Sequence, residues 1–189
     1  INAGWRRDGV KGGSVYVEKN ALVSVFNNLM VNCKFKVQTP KWGTASITDG
    51  CATESVIDYN YYASGPQQST LTQDVTNGTT TAYLGYTLTN KSVYPQYVDT
   101  HSIVSASAGD EATNPQFVNF PYTTNPLTSY TYDDSWDFHV NSGSPVLVGA
   151  YNGSDSNMQP YFASTGLTLN GNTYKSDIYK NYFGAYGTK

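Results

Sequence analysis

Apolar and polar residues alternate in short bursts along the first third of the chain. Residues 14–17 and 21–26 are rich in Val and read as strands of four to six residues. Over 29–37, Leu29, Val31, Cys33, Phe35 and Val37 fall on one side, and Asn32, Lys34 and Lys36 on the other. That is the period of two expected of a half-buried strand. Asn27 and Asn28 stand between these runs, where amide side chains tolerate left-handed backbone and mark a tight corner. Residues 56–62 predict a further strand. Strands this short, separated by polar corners of one or two residues, leave no room for helical crossovers. They suit a coil of strands stacked in parallel through residues 14–62. The expected inward side chains are Val15, Val17, Val23, Val25, Leu29, Val31, Phe35, Val56 and Ile57.

Pro40 ends the alternation, and residues 40–53 read as loop. Residues 63–100 form a long insertion rich in Thr, Gln, Gly, Asn and Tyr, with a hairpin signal at Asn77 and Gly78. Asn114 and Pro115 start a turn before Phe117 and Val118, and residues 120–135 predict irregular structure. Trp136, Phe138 and Val140 alternate again, followed by a turn at Gly143, Ser144 and Pro145. A hairpin is expected with residues 167–169 and Tyr174 around Asn170, Gly171 and Asn172, and the best short helix candidate lies at Ser176–Tyr182. The expected organisation is one domain: coils over 1–62, the insertion over 63–100, then a last coil and cap over 101–189.

Composition agrees with an all-β chain. Of 189 residues only 13% are charged, whereas Ser, Thr and Asn together number 57. With 17 Tyr, 17 Gly and 14% aromatics, the chain is poor in helix formers yet able to fill a core. The net charge of −3, without a basic stripe, argues against nucleic-acid binding. Apolar runs of no more than about five residues predict no transmembrane segment. Cys33 and Cys51 have no zinc-type spacing, leaving one disulfide or two core thiols. A bond would require the 40–50 loop to fold back and bring their Cα atoms within about 7 Å. The chain opens at Ile1 without Met or a capping signal, so the expectation is a piece of a longer protein whose N-terminal remainder is a further partner.

Several segments together resemble the C-terminal end of the right-handed parallel β-helix proteins of the pectate-lyase-like superfamily, in the style of those secreted by gut Bacteroidetes. Residues 24–29 look like one coil ending in an Asn-Asn corner. Residues 100–104 with 114–119 are similar to a closing pattern of His-Ser-Ile followed by Asp-Pro-x-Phe, although Asn114 stands where Asp is more usual. Residues 136–145 resemble an Asp-Phe-x-Leu-x-x-Gly-Ser-Pro signature, and residues 183–186 a terminal Gly-Ala-aromatic. The resemblance implies an all-β fold, a right-handed parallel β-helix (its C-terminal coils) with a long insertion and an irregular C-terminal cap that covers the edge of the last coil. It is specific for fold and says little about activity.

The resemblance also gives the charged residues candidate roles. Polysaccharide lyases of this superfamily use Lys or Arg to abstract a proton beside a uronate carboxylate, and carboxylates that hold calcium. Arg6 and Arg7, near Asp8 and Lys11, could serve this or form a solvated turn. Lys34 and Lys36 sit about 7 Å apart on the outward side of their strand. With Lys41 and Trp42 they form a candidate surface for an anionic sugar, against the plainer reading of an ordinary solvent face. Asp49, Glu54 and Asp58, and the group Asp133, Asp134 and Asp137, lack glycosidase or EF-hand spacing. They read as structural, with calcium left open and no cofactor otherwise indicated. His101 and His139 read as structural, because no nucleophile elbow accompanies them. Tyr59, Tyr61, Tyr62, Tyr83, Tyr86, Tyr94 and Tyr97 could stack on sugars or pack the insertion onto the coil.

The function expected from this reading is an extracytoplasmic protein that engages polysaccharide, acidic polysaccharide included. Catalysis by β-elimination or glycoside hydrolysis stays open, with the reacting groups on upstream coils. The alternative is a non-catalytic cell-surface adhesin or interaction module. Carboxylates converging with Lys or Arg in a cleft favour the enzyme. An aromatic patch without converging charge favours the binder.

Overall fold

In a computed structural model of the chain, the described residues are 1–3, 13–17, 21–33, 35–38, 55–70, 97–98, 100–127, 132–158, 167–174 and 181–189. They are strand-rich, and their only helical pieces are three short 3-10 turns at Pro66–Thr70, Glu111–Thr113 and Pro145–Leu147. The strands are β1 (Gly13–Tyr16), β2 (Ser24–Val25), β3 (Leu29–Val31), β4 (Phe35–Gln38), β5 (Val56–Ile57), β6 (Tyr61–Ala63), β7 (Tyr97–Val98), β8 (Ile103–Val104), β9 (Phe117–Asn119), β10 (Asp137–Val140), β11 (Leu167–Leu169) and β12 (Asn172–Tyr174). Each sheet holds two or three strands. Among the described residues no helix is long and apolar enough to cross a membrane.

Strands β1 to β8 pair in parallel. β1 lies on β4, β2–β5–β7 form one sheet and β3–β6–β8 another. Ser24 pairs with Val56 and Leu29 with Tyr61, the same offset of 32 residues in both sheets. Corner side chains repeat the ladder. Asn28 Nδ2 donates to Asn60 Oδ1 at 2.9 Å, and Asn60 N donates to Ser102 Oγ at 2.9 Å. A second corner begins at Asn32, whose N–H reaches Ala63 O at 2.9 Å. One row earlier Asn2 repeats it, reaching Val31 O at 2.8 Å, and both asparagines have left-handed φ, 52° and 55°. Gly65 passes so close to this corner that a Cβ there would lie 2.9 Å from Asn32 Oδ1 and 3.0 Å from Tyr122 O.

These corners correct two expectations. Residues 29–37 do not form one alternating strand, because Asn32 (φ 52°) ends β3, and the next strand starts at Phe35. Residues 56–62 are likewise split by Tyr59, at φ 52°. One left-handed residue turns the chain and resets which side chains face inward. Leu29 and Val31 therefore do not share a cluster with Cys33 and Val37. Val31 joins Tyr61, Ala63, Phe120, Tyr122, Val140, Val146, Ala150 and Phe183, with Leu29 packed against them. Met30, Tyr62, Cys33, Val37, Val25, Val17 and Ile57 form the other core, with Val15 and Val23 packed against it. Val56 also points away from that core and packs with Tyr151 and Met158, since neighbours in a strand face opposite ways. The side chain of Phe35 lies outside the described part.

Beyond residue 116 both described strand pairs are antiparallel, joined by an isolated parallel bridge between Val140 and Thr188. β9 lies on β10, and β11 on β12 through the expected hairpin, with φ 50° at Asn170 and 78° at Gly171. Ser144 caps the 3-10 turn at Pro145–Leu147, and its Oγ donates to Pro115 O at 2.6 Å. The tail is not confined to the edge of the last row, as expected of a cap. It runs along the flank of β3 and β6 and reaches the earliest rows. Gly184 N donates to Asn27 O at 2.8 Å, and Asn32 Nδ2 to Tyr122 O at 3.1 Å. The β3–β6 sheet is thus apolar on both faces, which is why its strands are runs of hydrophobic residues. The Asn77–Gly78 hairpin, Cys51 and most of the Ser176–Tyr182 candidate helix lie outside the described residues, whereas Cys33 is fully buried.

Candidate functional site

The antiparallel region builds an aromatic cleft. β9 leads directly into Phe120, and the turn over residues 133–136 delivers Trp136 to the start of β10, with Trp136 N donating to Asp133 O at 3.1 Å. Asn119 Nδ2 donates to Ser135 O at 2.7 Å and ties that turn to β9. Trp136 then meets Phe120 edge to face, with centroids 5.0 Å apart and planes at 87°, and Tyr132 at 5.7 Å and 73°. Phe138 tilts against Phe120 at 5.3 Å. These rings, with Ile1 and Asn2, line a cleft of about 310 Å³. A smaller groove of about 210 Å³ continues past Ile1 and Phe138 toward Phe117 and Tyr186.

The cleft carries exposed ring surface, and the side chains lining it among the described residues are uncharged. Tyr132 is 65% exposed, and Trp136 and Phe138 are partly exposed. Edge-to-face contacts leave ring faces available for stacking. Asn2 Nδ2 donates to Asn125 Oδ1 at 2.6 Å, whereas Asn2 Oδ1 is buried and has no donor among the described residues. Asp133 and Asp134 stand exposed in the turn between Tyr132 and Trp136. The hydroxyl and backbone N–H of Ser135 hold the Asp133 carboxyl below its usual range. Asp137 is held lower still, by Lys189 first and His139 second. Lys189 Nζ lies 2.9 Å and His139 Nδ1 2.6 Å from its two oxygens.

A second polar cluster lies at the corner of the parallel rows. Asp58 is fully buried and accepts from Tyr59 N at 2.8 Å and His101 N at 2.7 Å, with His101 Nδ1 at 2.8 Å. The Tyr59 and His101 rings stack at 4.5 Å, nearly parallel at 12°. Tyr59 donates to Asp155 Oδ2 at 2.9 Å. Hydrogen bonding to Asn157 and Tyr59 lowers the Asp155 carboxyl against the effect of its burial. The three donors on Asp58 join two successive rows and hold Tyr59 in its left-handed conformation. The arrangement is a staple.

Of the residues singled out from sequence for sugar contact, Arg6, Arg7, Lys34, Lys41 and Trp42 lie outside the described residues, as does the side chain of Lys36. Asp49 and Glu54 lie outside them too. Among the described residues, no three His, Cys, Asp or Glu side chains converge on a cation site. The cleft was missed because its walls come from residues 1–2, 120 and 132–138. Only the alternation of Trp136 and Phe138 was visible locally, and it also fits plain strand packing. Comparison with protein-family profiles, curated proteins and solved structures gives no match for this chain.

Proposed function

We propose that the chain is part of an extracytoplasmic right-handed parallel β-helix protein that engages polysaccharide through the Tyr132–Trp136 cleft, as a binder. The β-helix reading draws support from the 32-residue offset that the β2–β5 and β3–β6 pairs share and from the Asn28 and Asn60 corners that meet across that step. The observation that carries the functional reading is the aromatic cleft itself. Rings held edge to face and open to solvent suit the C–H face of a pyranose. A volume of about 310 Å³ is at the small end of ligand pockets, fitting a short piece of glycan. Among the described residues of the cleft lining no Lys or Arg joins a carboxylate, which supports the binder reading.

The test is affinity electrophoresis of the protein through gels containing a panel of plant and microbial polysaccharides. At least one should retard the parent, and Trp136→Ala and Tyr132→Ala should each remove most of the retardation. Tyr132 is so exposed that its variant keeps the fold and so separates lost contact from lost structure. Release of unsaturated product absorbing near 235 nm would overturn the binder reading in favour of a lyase.

A further inference from the structure

Among the described residues β3 is the outermost strand of the β3–β6–β8 sheet. Alternate residues of a parallel strand bond to opposite sides. Asn28 O accepts from Tyr61 N at 2.8 Å and Asn32 N donates to Ala63 O at 2.9 Å, so these two groups face β6. Leu29 and Val31 therefore turn their N–H and C=O groups the other way. There Val31 O accepts from Asn2 N at 2.8 Å, a rung that repeats the Asn32–Ala63 bond one row earlier. Asn2 also repeats the left-handed backbone of Asn32, with φ 55° against 52°. Ile1 thus stands in register with Val31, and no described strand lies on the edge at Leu29. Beside that edge is the groove of about 210 Å³, lined by Ile1, Leu29, Phe117, Phe138, Ala185 and Tyr186. Apart from the Tyr186 hydroxyl, these side chains offer no hydrogen-bonding group, which suits an apolar side chain better than a sugar.

The groove continues a column of the parallel rows. Leu29 pairs with Tyr61, and Tyr61 with Ile103. Every second residue of a strand shares a face, so the residue two positions before Ile1 is the one that lands over Leu29. We infer that the edge of β3 is a docking site for a parallel strand. Its occupant is the polypeptide directly preceding Ile1, with a large apolar residue two positions before Ile1 filling the groove. This rests on the parallel-row part of the reading above and not on glycan binding. Once docked, the strand gives Leu29 and Val31 ladder partners and covers an edge that would otherwise recruit strands from other molecules.

The experiment compares the chain of residues 1–189 with the same chain carrying Asn-Leu-Met, Asn-Asp-Met or Gly-Gly-Gly directly ahead of Ile1. Asn-Leu-Met copies residues 28–30, because Ile1 stands where Val31 does in the next row. Gly-Gly-Gly moves the α-ammonium away from Ile1 without filling the groove. Amide hydrogen exchange and thermal unfolding are read on each. Relative to Gly-Gly-Gly, Asn-Leu-Met should slow exchange at the Leu29 and Val31 amides by about tenfold or more. It should also raise the unfolding midpoint by several degrees, and Asn-Asp-Met should do neither. In a Leu29→Ala background the gain from Asn-Leu-Met should shrink. Equal exchange and equal midpoints in the three extended proteins overturn the inference. Protection by Asn-Asp-Met as strong as by Asn-Leu-Met also overturns it, since backbone pairing alone would then occupy the edge. Leu29 and Val31 amides already protected in the unextended chain overturn it too, and sedimentation as a dimer then assigns the edge to a second copy. The Tyr61 and Asn32 amides report the rows themselves. Fast exchange there in every protein fails the parallel-row reading, whereas slow exchange there beside an unresponsive edge fails the docking alone.

Discussion

The described parts of residues 24–104 and of residues 117–187 both carry strands of two to four residues, yet they are held in different ways. In the described part of the first, β2 and β3 are matched by β5 and β6. Val25 lies over Ile57, Leu29 over Tyr61 and Asn28 over Asn60, so backbone pairing, apolar stacking and corner amides all follow one register. In the second, no such match is found among the described residues. Phe117, Phe120, Trp136 and Phe138 meet edge to face, and single contacts such as Ser144 Oγ to Pro115 O fix the chain. A repeating ladder buries its polar groups because each has a counterpart one row away. The irregular region closes with fewer internal matches and leaves ring surface at its rim. The rings of the candidate site therefore come from the irregular region, with Ile1 and Asn2 completing the wall.

The largest effect tests whether the two regions stand or fall together. Phe183 is fully buried, 5.3 Å from Tyr61, and its N–H donates to Val146 O at 2.9 Å. Phe183→Ala should cost about 3–5 kcal/mol in urea unfolding. A loss below about 1 kcal/mol would mean that the tail rests on the rows without stabilising them. Asp58→Ala probes the ladder alone. Removing the carboxylate strands the N–H groups of Tyr59 and His101, at a cost of about 2–4 kcal/mol. Hydrogen exchange should rise at the Asn27 and Tyr59 corners before it rises in β9 and β10, and uniform loosening would contradict a local staple.

The junction gives a smaller effect. Gly184 has φ 86°, and a Cβ there would lie 3.0 Å from Leu29 Cβ. Gly184→Ala should cost about 1–2 kcal/mol by thermal unfolding, from left-handed strain alone, whereas no change would show that the tail shifts freely on β3. The smallest effect at neutral pH concerns Tyr61 and Tyr122, whose hydroxyls are buried without partners among the described residues. Burial raises both phenols above their ordinary range, reinforced by Asp110 at Tyr61 and by Tyr61, Glu111 and Asp110 at Tyr122. The unfolded chain ionises them near pH 10 while the folded protein keeps them neutral. The stability they carry is therefore full below about pH 10 and is lost as pH rises further. Tyr122→Phe should stay within about 1 kcal/mol of the parent at pH 7 and fall less steeply above pH 10. An unchanged alkaline slope would place its titration elsewhere.

Local chemistry determined much of this protein from sequence. Val-rich bursts and scarce helix formers dictated short strands, Asn27 and Asn28 a left-handed corner, Asn170 and Gly171 a hairpin turn, and Ser144 and Pro145 a capped turn. Each depends on the conformational preferences of one or two residues. The tertiary structure alone decided which way the strands face and what gathers at the cleft. Asn32 and Tyr59 reset the inward parity, and nothing in an alternating pattern distinguishes a strand residue from one driven to positive φ by a neighbouring row. The signal that was present is the recurrence of residues 25–32 at 57–64, which becomes plain once Asn28 and Asn60 are superposed. The cleft had no such signal. Asn2 meets Asn125, and the Ile1–Asn2 wall meets Trp136, across more than 120 residues. Contacts at that separation depend on how the tail lies along the parallel rows, and no local pattern carries that information.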